Sequence, residues 1–147
     1  MEEHVFGGRR KADAALERPR PLWQAMARGL SGRCPHCGEG RLFASFLKTV
    51  DSCQHCGAEI HHHRADDLPA YLVVVIVGHL VVGGFMGVEA TSTLSIWQHL
   101  AIWVPLTVAL SLALLRPMKG AVVGLQWALG MHGFGGEADL IEDHPEA

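Results

Sequence analysis

The chain has 147 residues, 49% of them hydrophobic, and a formal net charge of -3. That length admits a single soluble domain, but the apolar residues are concentrated in two uncharged runs rather than spread with a helix or strand period, which argues against one. Residues 1–65 carry ten Lys+Arg against seven Asp+Glu and residues 66–147 two against eight; so small a basic surplus, with sparse aromatic interleaving, argues against nucleic acid as a partner of the N-terminal part.

Residues 1–21 form a charged arm with Arg-Pro-Arg-Pro at 18–21, and disorder is expected there. Over 22–30, Leu22, Met26 and Leu30 share one helical face beside Trp23. This pattern fits a short amphipathic helix, lying at a membrane interface or packed against the cysteine-bearing segment C-terminal to it.

Next come four cysteines in two pairs, Cys34-Pro-His-Cys37 and Cys53-Gln-His-Cys56. Each two-residue gap lets two thiolates converge on one ion, and the longer gap brings the second pair to the first, as Zn²⁺ requires of a tetrahedral site. Gly38 and Gly57 follow the pairs, and glycine tolerates the positive φ of a knuckle turn. A dithiol oxidoreductase normally needs a βαβ scaffold that about 35 residues cannot supply. Attachment of c-type haem needs histidine directly after the second cysteine, where glycine stands. Paired disulfides stay open only if the segment faces an oxidising compartment. Residues 22–64 are therefore read as an amphipathic segment and a zinc ribbon. Leu42, Phe43, Phe46 and Leu47 between the knuckles are too few for an independent core, so metal must supply much of the folding free energy.

Residues 68–88 and 94–115 carry no charge. Each run approaches the ~20 residues a helix needs to cross about 30 Å of hydrocarbon, and neither sits where a signal sequence would. With the short link 89–93 they predict a transmembrane hairpin over 65–118. Arg64 precedes the first span, Arg116 and Lys119 follow the second, and the link holds only Glu89. The basic flanks put both termini in the cytoplasm, where thiols stay reduced and zinc is favoured over disulfides. Residues 119–147 are read as an interfacial segment around Trp127, interrupted by Gly124, Gly130 and Gly133, and an acidic tail. The fold class expected is a small zinc ribbon joined to an α-helical transmembrane hairpin, with a short interfacial helix.

Several residues invite more than one reading. Asp66 and Asp67 are suited to cap the first span, and equally to contact the ribbon or a partner. His61, His62 and His63 are ordinarily an exposed strand end, with metal binding the competing reading. His79 is an ionisable residue at membrane depth, a candidate functional group whose ordinary role would be an interhelical hydrogen bond. His99 is the other candidate haem ligand. At ~1.5 Å per residue from the link, His79 lies about 13 Å deep and His99 about 6 Å, so one hairpin cannot present both to one haem. Gly83 and Gly87, one turn apart, suit close packing within the hairpin or in a homodimer, and Pro105 is placed to kink the second span.

The runs Arg33-Cys-Pro-His-Cys-Gly-Glu-Gly-Arg-Leu-Phe43, Cys53-Gln-His-Cys-Gly57 and Arg64-Ala-Asp-Asp-Leu-Pro-Ala-Tyr71, continuing to Gly78-His79, resemble the bacterial family catalogued as domain of unknown function 983. The resemblance covers about residues 22–134. It implies a small inner-membrane protein with a cytoplasmic zinc ribbon and no established reaction. In alphaproteobacteria, the members it resembles are often neighbours in gene order of haem-copper oxidase subunits and assembly factors, so the resemblance implies a respiratory accessory role by association alone. The expectation is therefore a non-enzymatic, zinc-bearing binding or assembly module partnered by the bilayer and a membrane protein. The alternative is a redox protein that contacts haem or quinone through His79.

Overall fold

The computed structural model describes residues 20–62, 67–131 and 133–135. Residues 1–19 of the N-terminal arm, His63, Arg64, Asp66 and the acidic tail lie outside the described residues. Three helices follow in order: α1 (Leu22–Leu30), α2 (Leu68–Thr91) and α3 (Ile96–Leu129). The ribbon lies between α1 and α2.

α3 organises the molecule. Ser95 starts it through a Ser-x-x-Gln capping box, its backbone N–H donating to Gln98 Oε1 at 2.8 Å. The helix then runs 34 residues, about 51 Å, through Pro105 and Pro117, and stops at Gly130 in the left-handed conformation. The sequence places the end of the second span near residue 115 and sets 121–134 apart as an interfacial piece. Through Leu129 those residues are instead the last turns of the same helix. The reason is packing: Val122, Val123, Gly124 and Gln126 are buried, and that burial holds together a stretch that Pro117 and two glycines would otherwise weaken.

α1 lies against this end of α3. Its buried residues are Ala25 and Gly29, not the Leu22–Met26–Leu30 face, and Trp23 remains 80% exposed. A Cβ on Gly120 would approach the Gly29 carbonyl oxygen to 1.9 Å, and one on Gly124 the Ala25 oxygen to 2.4 Å. Two small residues one turn apart on each helix thus let the backbones touch, where any side chain would force them apart. Arg20 closes the arrangement, donating to the carbonyls of Trp127 (2.9 Å) and Phe134 (3.1 Å) while stacking over the Trp127 ring.

α2 returns along the other end of α3, burying Pro69, Val73 and Val77. Near the link the two helices are locked by aromatic groups. Trp103 fills the space over Gly84, where a Cβ would sit 2.7 Å from its ring, and Phe85 packs on both Trp103 and His99. Gly83 and Gly87 face open space, so within the hairpin they carry no close packing.

Candidate metal centre

Each cysteine pair sits on the same turn. Gly38 N–H donates to the Cys34 carbonyl at 2.8 Å and Gly57 N–H to that of Cys53 at 2.9 Å, with both glycines at positive φ, 77° and 73°. These conformations are strained for any residue with a Cβ. Short antiparallel bridges close the loops: Arg33 with Arg41 behind the first knuckle, Ser52 with Glu59 behind the second, and Phe43 with Thr49 between them.

The four sulfurs converge. Cys34 Sγ lies 3.8 Å from Cys56 Sγ and Cys37 Sγ 3.7 Å from Cys53 Sγ, and all four fall within 4.8 Å of one another. A tetrahedron with metal–sulfur bonds of ~2.3 Å has an edge of about 3.8 Å, whereas a disulfide would bring sulfurs to ~2.05 Å. The donor set and its spacing therefore fit one tetrahedral metal ion, and all four cysteines are free of disulfides.

Local electrostatics are uneven across the site. Burial pushes the Cys34 thiol up to about 12. Burial also acts to raise Cys37, but the backbone N–H groups of Gly40 and Glu39, aimed at its sulfur at 3.5 and 3.4 Å, prevail and hold it down to about 6. Cys56 is raised, mainly by burial. Backbone donors that stabilise a thiolate are what a metal-bound sulfur also needs. Gly40 has a second role that the sequence reading passed over: a Cβ there would fall 2.2 Å from Cys53 Sγ. Its signal was the second glycine in Cys37-Gly38-Glu39-Gly40.

The ribbon's core is not its own. Leu42, Phe43 and Ile60 are buried together with Cys34, Cys53 and, from α3, Val122 and Val123, while Phe46 stays 50% exposed. Arg28 of α1 donates to the carbonyls of Pro35 (3.2 Å) and His36 (2.9 Å) inside the first knuckle. The edge of His36 meets Trp127 at 5.7 Å. The centre is thus anchored to two helices.

A second group, more exposed than the cysteines, lies at the end of the ribbon's sequence, where His62 packs edge-on against Phe134. Glu59, His61 and His62 offer ligand atoms within 4.8 Å of one another, and His62 Nε2 is 2.9 Å from Glu59 Oε2. That hydrogen bond holds the Glu59 carboxyl below its usual range.

The remaining predicted residues are scattered. Asp67 occupies the N-cap position of α2, exposed and without a side-chain capping bond, although its carbonyl accepts from Tyr71 N–H at 3.1 Å. Asp66 lies outside the described residues. His79 is exposed on α2 with Nδ1 2.7 Å from the Val75 carbonyl, so its hydrogen bond is made within its own helix and not across the hairpin. His99 is 4% exposed. Its Nδ1 accepts from Trp103 Nε1–H at 3.2 Å, which leaves the proton on Nε2, 2.9 Å from Glu89 Oε2. That approach is close but poorly directed, and Nε2 makes no hydrogen bond. His79 faces outward and His99 inward, and the fold does not bring them together.

A four-cysteine, zinc-ribbon-like module built onto two long apolar helices defines the class. The family model described as "Protein of unknown function (DUF983)" matches residues 43–127, more than half of the chain, and the protein belongs to that family. The matched range takes in the second knuckle, α2 and all but the last two residues of α3, whereas the first knuckle and α1 precede it. No curated protein and no solved structure matches.

Proposed function

We propose that the chain is a multi-pass protein of the bacterial inner membrane, with ribbon and termini in the cytoplasm, that holds one structural Zn²⁺ and acts as a binding or assembly module. The observation that carries this reading is α3. The same continuous helix supplies Val122 and Val123 to the metal-centred core and an apolar, outward-facing surface along its other end. Both α2 and α3 are long and apolar enough to cross a membrane, yet only 11% of the most apolar stretch of α2 and none of that of α3 is buried. A helix in the core of a soluble domain would be mostly enclosed, so lipid is the natural cover. Four thiolates would complete the coordination of a zinc ion, giving it a structural and not a catalytic role. The protein then works by contact, and not as an enzyme.

Haem-copper oxidases and their assembly factors are the partner class to test first, on the gene-order association that the family resemblance implies. Deleting the gene should lower assembled oxidase and its haem absorbance without lowering subunit transcripts, and Cys34→Ser should fail to complement. Normal oxidase content in the deletion strain would remove the respiratory role. Reporter fusions after Lys48 and at Ala147 should both read cytoplasmic, and a signal from the opposite side would overturn the orientation.

A second reading has one observation in its favour. Because the Val75 carbonyl can only accept, the neutral ring of His79 takes the tautomer with its proton on Nδ1, in which Nε2 offers a lone pair on an exposed face of α2. An imidazole so fixed is suited to contact haem or quinone within the membrane. Purified protein with a Soret band that His79→Leu abolishes would favour this reading over the scaffold.

A further inference from the structure

Between the ribbon hairpin and α3 lies an open cleft of about 530 Å³, lined by Gly32, Arg41, Phe43, Ser45, Phe46 and Arg116 among others. Its charge has one sign. The Arg116 guanidinium is held over the Phe43 ring, 5.2 Å from its centroid. Arg41 also lines the cleft and pairs across the first bridge with Arg33. Like charges directly opposite on paired strands repel, and among the described residues no carboxylate pairs with Arg33, Arg41 or Arg116. Two guanidinium groups lining one cleft, neither paired with a carboxylate among the described residues, match a phosphate, whose oxygens accept the paired N–H groups of arginine.

Position selects the source of that phosphate. Arg116 follows the start of α3 at Ile96 by about 20 residues, or roughly 30 Å of helix, which is the thickness of a bilayer's hydrocarbon core. On the membrane reading above, on which this inference rests, the cleft opens at headgroup level on the ribbon side. The half-exposed Phe46 beside it is placed to meet the acyl boundary. We propose that the Arg41–Arg116 cleft binds the phosphate headgroup of an anionic phospholipid, seating the ribbon against the membrane surface.

The test uses the full-length, metal-loaded protein, delipidated in detergent and titrated in native mass spectrometry with phosphatidylglycerol or with phosphatidylcholine of the same acyl chains. One phosphatidylglycerol should bind in preference to phosphatidylcholine by about tenfold. The double variant Arg41→Gln/Arg116→Gln should lose that preference with its metal content unchanged. Lys48→Gln/Lys119→Gln, which removes the same charge from residues that do not line the cleft, should keep it. Equal binding of the two lipids, a preference that survives in the arginine variant, or an equal loss in the lysine variant would each overturn the proposal. Inorganic phosphate that displaces the lipid at submillimolar concentration would reassign the cleft to a soluble phosphate and overturn it too. Alkaline carbonate extraction separates the two readings: a chain released from membranes overturns the membrane anchor and this proposal with it, whereas a retained chain without lipid preference overturns this proposal alone.

Discussion

At one end of α3, Val122 and Val123 are enclosed by the ribbon and Gly120 and Gly124 meet α1 backbone to backbone, while toward the other end Ile102, Val104, Leu106 and Val108 are 40–55% exposed. The ribbon end is held by contacts that tolerate no substitute: a sulfur tetrahedron, positive-φ glycines, and arginines donating to named carbonyls. The hairpin is held near its link by the Gly84, Phe85, His99 and Trp103 cluster, and most of its apolar surface is uncovered among the described residues. One region is specified by its own atoms and the other by its surroundings. On the proposed membrane reading, substitutions should therefore be costly in the first and mild in the second while the hairpin stays in lipid.

The largest effect should come from the metal. Structural zinc contributes on the order of 10–16 kcal/mol to small metal-folded modules, far more than this ribbon's shared core can replace. Cys53→Ser, or chelation, should abolish protection of ribbon amides from hydrogen exchange while leaving the α2–α3 hairpin in the membrane, because helices satisfy their backbone groups internally. Loss of the hairpin as well would show that the two regions are not separable.

The glycines sharpen the contrast. Gly120→Ala drives a methyl into the Gly29 carbonyl and should destabilise the α1–α3 contact by about 1–3 kcal/mol or more, read as increased exchange in α1. Gly83→Ala and Gly87→Ala meet nothing among the described residues and should be neutral or stabilising by up to about 1 kcal/mol. If either instead shifts the protein from dimer to monomer in crosslinking, that face is a contact between copies. Val123→Ala, removing part of the core shared by ribbon and helix, should cost about 1.5–3 kcal/mol and lower metal affinity, because ligand positioning and core packing are coupled.

The pH dependence has a definite sign. With Cys34 held up to about 12 and Cys56 also raised, both are protonated near neutrality without metal, and an ion must displace those protons. The ion thereby depresses the thiol pKa values in the loaded state, so the stability it confers is present at higher pH and lost as pH falls. Chelator competition should show affinity falling at least about tenfold per pH unit on acidification from about pH 8 to about pH 6.

Much of this was legible in the sequence, and the omissions share a cause. The cysteine spacing, the knuckle glycines and the two uncharged runs are local signals, and each maps onto the element expected of it. What could not be read from spacing was contact between distant segments. Ala25-x-x-x-Gly29 and Gly120-x-x-x-Gly124 both stood in the sequence as small-residue pairs, but they gain meaning only when the fold sets one against the other. The more conspicuous Gly83 and Gly87 drew the packing expectation, and the structure gives the hairpin contact to Gly84 instead. Of the interruptions read at Gly124, Gly130 and Gly133, Gly130 does end α3, whereas Gly124 lies inside the helix, on the stretch that α1 packs against. His99 looked like a possible ligand until the fold enclosed it between Trp103, Phe85 and Glu89.

The central claim is that four thiolates hold one zinc in a ribbon seated on a membrane-crossing helix. Its most direct test is the metal content of the full-length protein purified in detergent under reducing conditions, with cobalt substituted to report the ligands. The account expects one zinc per chain and, with cobalt, the intense sulfur-to-metal absorption of a tetrahedral four-thiolate site, both lost in Cys37→Ser. Well under one metal per chain, with the four thiols all free or joined as disulfides, would contradict it.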